Sequence, residues 1–177
     1  MTEPRVSGRM ARSFLRYLRE RVGEAAFDAV MRSHPAIGEP AAGDWIAIST
    51  WQPLIEDFER RFGDPATLRL VREMTRSTMA VAISKGWSAF LSGATPDSLL
   101  QQSGRFWSMS YDAGKLVVAA RGPKRVLFAV EDWPSPPAFV VASVAEAIAV
   151  FLARLGEREP RAVDRVTGGR AEIELTW

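Results

Sequence analysis

The stretch from Arg161 to Trp177 constrains the fold more than any other part of the chain. It reads RAVDRVTGGRAEIELTW, and after Gly168-Gly169 the residues Ala171, Ile173, Leu175 and Trp177 alternate with Glu172, Glu174 and Thr176. Side chains of a strand point alternately to its two faces, so this pattern is an antiparallel hairpin with one wet face and one apolar face that needs a layer against it. A two-residue Gly-Gly turn sets Arg165 opposite Glu172, a favourable cross-strand pair, and brings Asp164 beside Ile173 on the inner face. Either the register differs or Asp164 is a paired polar group on that face.

The same period of two occurs upstream. Trp107, Met109 and Tyr111 face one way and Ser108 and Ser110 the other, Asp112 to Lys115 forms a turn around Gly114, and Leu116 to Arg121 returns. After Gly122-Pro123-Lys124, Arg125 to Val130 reads as a further strand. Trp107, Met109 and Tyr111 are then either the inner face of a sheet packing its own core or the floor of an apolar cup. Between the hairpins, Ser143-Val-Ala-Glu146 has the spacing of a capping box, which predicts a helix over Val144–Leu155 closed by Gly156.

The first half is helical in pattern. Val6, Met10, Phe14, Tyr17 and Leu18 follow the 3.6-residue period up to Gly23, and Phe27, Val30 and Met31 mark a shorter helix. A loop rich in proline and glycine, His34 to Asp44, follows. Pro53 opens a helix burying Leu54, Ile55, Phe58 and Phe62. Asp64-Pro65 restarts the chain as a helix to about Ser84, and Thr95-Pro96 starts another. The expectation is one α+β domain over residues 1–177. A helical layer (about 5–103) packs on a twisted antiparallel sheet of about five strands (about 105–177), with a further helix over about 144–155.

Several functions are excluded by composition. The chain of 177 residues has no cysteine, which removes disulfides, thiolate nucleophiles and cysteine-bearing metal sites. Its single histidine, His34, reads as a solvated or capping residue at a helix end. The glycines do not form a phosphate-binding loop. The net charge is only +2, with both signs intermixed, so nucleic acid is not the expected partner. Phe139 to Leu155 is apolar but interrupted by Ser143, Glu146 and Arg154, and reads as a buried helix rather than a membrane span. The first residues carry no secretory pattern, so a cytoplasmic protein is expected.

Two charged patterns stand out. Arg5, Arg9, Arg12, Arg16 and Arg19 advance by three or four, stacking guanidinium groups on one helix face without an acid among them. That face is either simply solvated or holds an acidic protein partner. Glu56, Asp57 and Glu59, interleaved with Arg60 and Arg61, and the pair Glu131-Asp132 read as solvated acids rather than an acid–base pair.

The whole chain, over roughly residues 5–177, resembles a paralogous family of myxobacterial proteins. The shared framework is Trp51-Gln52-Pro53-Leu54, Gly63-Asp64, Phe90-Leu91, Pro96, Leu99, Trp107, Gly114, Gly156 and Trp177. That family is remotely similar to the ligand-binding fold shared by haem-nitric-oxide sensors, 4-vinyl-reductase-like sensor domains and subunits of vesicle-tethering complexes. The resemblance implies helices on a twisted antiparallel sheet, often with an apolar cavity between them, and dimerisation. The haem sensors use a histidine in a later helix and the zinc-bearing domains use cysteines. This chain has neither, so no cofactor and no metal is expected.

The reading that follows is a non-enzymatic sensing or binding domain for an apolar small molecule in bacterial signalling. Its pocket candidates are Phe58, Phe62, Met79, Trp87, Phe90, Trp107, Met109 and Tyr111. The alternative is a homodimeric scaffold that binds an acidic partner through Arg5, Arg9, Arg12, Arg16 and Arg19.

Overall fold

The computed structural model describes residues 3–84 and 93–177. Their order is β1 (Arg5–Ser7), α1 (Gly8–Val22), α2 (Glu24–Met31), β2 (Trp45–Ala47), α3 (Ile48–Phe62), α4 (Arg69–Ala82), α5 (Pro96–Ser110), β3 (Lys115–Gly122), β4 (Arg125–Glu131), α6 (Ala138–Arg154), β5 (Arg161–Thr167) and β6 (Arg170–Thr176). The main sheet is antiparallel with strand order β3-β4-β6-β5, and β1 pairs with β2 as a separate ribbon. The mixed class and the order of helices before sheet are as the periodicity requires.

The apolar face of the sheet, which includes Val126, Phe128, Ala171, Ile173 and Leu175, is fully buried. Helix α6 packs against β5 and β6 on one side and α4 on the other, while α5 covers β3. A helix held between two layers must be apolar around most of its circumference, which is why Phe139–Leu155 has so few charges. Among the described residues no helix is long and apolar enough to cross a membrane.

The last hairpin has the expected register, with Arg165 opposite Glu172 and Asp164 opposite Ile173. Asp164 is the paired polar group: Arg72 of α4 donates to its Oδ1 at 2.5 Å. Beside it, Arg76 grips Glu146 of α6 through two bonds of 2.5 and 3.2 Å. These pairs fix the rotation of α4 over α6 and β5.

Several expectations are corrected. Residues 106–110 are the last turns of α5, not a strand, which leaves four strands in the main sheet. Thr95 and Ser98 cap this helix reciprocally, and Leu100, Ser103 and Trp107 then share its buried face at helical spacing. The serines that looked like an outward strand face return their protons to carbonyls within the helix, Ser108 to Arg105 and Ser110 to Phe106. Helix α6 begins at Ala138, so Ser143 and Glu146 lie inside it and form no capping box. Arg5 lies on β1 and not on α1; a three-residue strand has no local signal and exists through its partners β2 and Tyr111. Helix α3 starts at Ile48 with Pro53 inside it, and α4 starts at Arg69, after a turn in which the Asp64 carboxylate accepts from Ala66 and Thr67.

Of the acids of α3, Glu56 is exposed as expected, but Asp57 and Glu59 are buried. Asp57 is 6 % exposed, and its carboxylate accepts from Arg60 and Arg61 at 2.9 and 3.0 Å and contacts His34 Nε2 at 3.3 Å. His34 is therefore a largely buried tether for the 34–44 loop rather than a solvated residue. Burial alone would raise the Asp57 pKa, but hydrogen bonds from Arg61 and His34 and the two arginine charges outweigh it and hold the group below the usual carboxylate range. A carboxyl with a depressed folded pKa adds stability that is present above its unfolded pKa and lost as pH falls through the folded value. Asp57→Asn is expected to lower stability by about 1–2 kcal/mol at neutral pH. In urea titrations from pH 7 downward, its gap to the wild type should close below about pH 4. A gap that stayed constant to the lowest pH would contradict this account.

Candidate ligand-binding site

Where α4, α5 and α6 meet β3, their side chains do not close completely. An inner chamber of about 150 Å³ is walled by Met79 and Ala82 of α4, by Leu99, Leu100, Ser103, Phe106, Trp107, Met109 and Ser110 of α5, by Leu116 of β3, and by Val144, Ala147, Ile148 and Phe151 of α6. No charged side chain lines it among the described residues. Its two hydroxyls are committed locally, Ser103 donating to the Leu100 carbonyl at 2.7 Å and Ser110 to that of Phe106. The chamber therefore offers dispersion contacts and almost no hydrogen bonding.

A second chamber of about 250 Å³ adjoins it, sharing Met79, Ala82, Met109, Ser110, Val144 and Ala147. Its remaining wall is different in kind. Ser7, Arg9, Met10, Ser13 and Phe14 come from the start of α1, Thr75 and Thr78 from α4, and Tyr111 and Ser143 from the α5–α6 contact. The site thus grades from a dry interior to a polar mouth.

Tyr111 forms the seam between the chamber and the core. Its ring packs on Trp107 and Trp133, at centroid separations of 5.1 and 6.0 Å, and its hydroxyl meets Ser143 Oγ at 3.0 Å. Burial drives its pKa well up, and the Ser143 hydrogen bond only partly offsets this, so the phenol stays neutral. Trp107 closes α5 by donating from Nε1 to the Ala113 carbonyl at 2.8 Å. Gly114, at φ +68°, lies so close to Trp133 that a Cβ there would come within 2.9 Å of it.

The residues singled out from the sequence are distributed unevenly. Met79, Trp107 and Met109 line the inner chamber, and Met79, Met109 and Tyr111 the outer one. Phe58 and Phe62 do not reach either. Phe58 packs on Phe27 of α2 and on Phe62 of its own helix, at ring-centroid separations of 5.8 and 6.1 Å. The apolar stripe of α3 faces α1, α2 and α4, and periodicity does not reveal which layer a stripe meets. Trp87 and Phe90 lie outside the described residues. The walls missed from the sequence are mostly aliphatic side chains of α5 and α6, together with Phe106 and Phe151, whose rings stack at 5.6 Å.

The arginines separate into different roles. Arg5 binds Asp112 in two ways, backbone N–H to Oδ1 and Nε to Oδ2 at 2.5 Å, which clamps β1 to the end of α5. Arg19 lies over the Phe27 ring at 4.6 Å and pairs with Glu24. Arg9, Arg12 and Arg16 form no ion pair among the described residues. With Arg19 they border a groove over Leu15, Phe27, Met31 and Ile37.

No protein-family model matches the chain, and no curated protein matches it in sequence. Solved structures do match in shape. An Fe(II) unliganded H-NOX protein from K. algicida superposes with a TM-score of 0.71 at 9% identity, covering 96% of this chain and 95% of that one. An oxygen-binding H-NOX domain related to soluble guanylate cyclases, in its oxygen complex, gives 0.65 at 11% identity over 96% and 94% of the two chains. A structure concerned with H-NOX activation gives 0.68 at 12% identity over 96% and 95%. The similarity spans nearly the full length of both partners at an identity that carries no shared site, so what it shows is the fold: this chain is folded as H-NOX domains are.

Proposed function

We propose that the chain is a non-enzymatic sensing domain whose ligand is an apolar small molecule held between α4, α5 and α6. The observation that carries the reading is the inner chamber, a partly open apolar space of about 150 Å³ between α4, α5, α6 and β3. An apolar cleft of that size, partly walled by the exposed Met109, is large enough to take a benzene-sized ring. The structural neighbours include an H-NOX protein studied for its haem distortion and an H-NOX domain that binds oxygen, and these support a sensing role on a fold of this kind.

Haem itself does not fit the residues present. Protein-bound haem iron is held by histidine, by cysteine thiolate, by tyrosine, or by methionine beside a histidine. The only histidine is bonded to Asp57 and lines neither chamber, and there is no cysteine. Tyr111 is neutral and bonded to Ser143. The proposed ligand therefore fills the space without metal chemistry, and no reaction is assigned to it.

The test is thermal. A ligand at about 100 times its Kd stabilises a protein by roughly 2.7 kcal/mol, which in a domain of this size is a rise in Tm of about 5 °C or more. Across a panel of benzene, indole, phenylbutanol and medium-chain alcohols, at least one is expected to reach that rise. Added haemin is expected to give no stoichiometric Soret band. Absence of any shift across the panel, or a one-to-one haem complex, would overturn the reading.

A further inference from the structure

We infer that the preferred ligand is an amphipathic monocarboxylate, its apolar end in the inner chamber and its carboxylate at Arg9. The inference rests on the site proposed above and specifies its ligand class. The two chambers share Met79, Ala82, Met109, Ser110, Val144 and Ala147, so they lie side by side, and a ligand that reaches both passes these residues. The dry end accepts a ring or a branched alkyl group but no polar atom. At the other end, Arg9 is the single charged side chain lining the outer chamber among the described residues, and it has no acidic partner among them.

Three of the hydroxyls near Arg9 are already committed as donors. Ser13 gives its proton to the Arg9 carbonyl at 3.1 Å, and Thr75 and Thr78 give theirs to Val71 and Met74 at 2.9 Å each. Ser7 Oγ accepts from the Met10 N–H at 3.4 Å, so the guanidinium is the one charged donor lining the chamber among the described residues, and its planar fork matches one carboxylate. A single cation at the rim selects a single negative charge. Because the rim is wet, the pairing adds selectivity rather than most of the affinity, and the apolar end supplies the rest.

The experiment is isothermal titration of the full chain with phenylbutyrate and with phenylbutanol, which differ at the head group alone. At low ionic strength the acid is expected to bind about fivefold more tightly than the alcohol, an advantage that added salt removes. Arg9→Gln should erase that advantage, with the loss falling on the acid far more than on the alcohol. Arg16→Gln, which alters the neighbouring groove but not the chamber mouth, should leave it intact. Arg9 is exposed and unpaired among the described residues, so the variant is expected to fold, and the salt series on the wild type tests the same point without it. Equal affinity for acid and alcohol in the wild type, or an advantage that survives Arg9→Gln, would overturn this inference while leaving the apolar site standing. Failure of both molecules to bind would overturn the inference, and the site with it when the wider panel also gives no shift.

Discussion

Replacing Tyr111 by alanine is expected to lower the free energy of unfolding by about 3–5 kcal/mol, the usual consequence of emptying the place of a large aromatic in a packed core. Tyr111 is 1 % exposed and is held on two sides by Trp107 and Trp133, which also meet each other edge to face at 6.0 Å. It joins three parts of the fold: the end of α5, the β1 strand through a bridge to Val6, and α6 through Ser143. Tyr111→Phe separates packing from polarity. It keeps the ring and removes one hydroxyl, while Ser143 retains its bond to the Val140 carbonyl at 3.0 Å, so the loss should be only about 1 kcal/mol. Far-UV circular dichroism in urea is the proper measurement, because both flanking tryptophans would change the fluorescence baseline. A loss below about 1 kcal/mol for the alanine variant would mean that the aromatic cluster is not packed as described.

Some parts of this arrangement were legible in the sequence because their signals are local. The β5–β6 hairpin is specified by alternation and by the Gly-Gly turn, and the Thr95-Pro96 start of α5 by its cap. The end of α6 follows from Gly156, which takes a positive φ of 91°. What local patterns could not convey is the partner of each surface. Residues 106–110 alternate in polarity over too few positions to outvote the helix that runs into them from its capped start. Met109, 46 % exposed, still forms part of the cavity wall, a combination no periodicity describes. For the site, the methionines and aromatics at 79, 107, 109 and 111 were visible as unusual, whereas Leu99, Leu100, Ile148 and Ala147 look like any core residue. The arginine stripe reads as one feature in sequence and becomes several in space, since Asp112 and Phe27, which engage Arg5 and Arg19, are distant from the stripe's own pattern.

Glu59 is the residue whose sequence context was most misleading, and its removal is expected to have an effect as large as that at Tyr111. It stands beside two arginines on α3, yet it is 1 % exposed. Its Oε1 accepts the Val71 N–H at 2.7 Å and its Oε2 accepts the Asp64 N–H at 3.0 Å. Helix α4 has no side-chain cap of its own, because Leu68 occupies the cap position in a left-handed conformation at φ 51°. A carboxylate from α3 therefore caps α4 from outside, at the end where the helix dipole favours negative charge. Glu59→Ala leaves two backbone donors without partners in the interior, and hydrogen bonds to charged groups contribute about 1.5–3 kcal/mol each, so a loss of roughly 3–5 kcal/mol is expected. Gly63 supplies the independent check. A Cβ at that position would come within 1.9 Å of Glu59 Oε2 and within 3.1 Å of the Glu59 Cα, so alanine there displaces the carboxylate and also presses on the backbone of α3. Gly63→Ala should accordingly destabilise the wild type by clearly more than it destabilises the Glu59→Ala background, where only the backbone contact remains. A double-mutant cycle in urea reads that coupling directly, and additive losses would show that Glu59 and Gly63 act separately rather than through one cap.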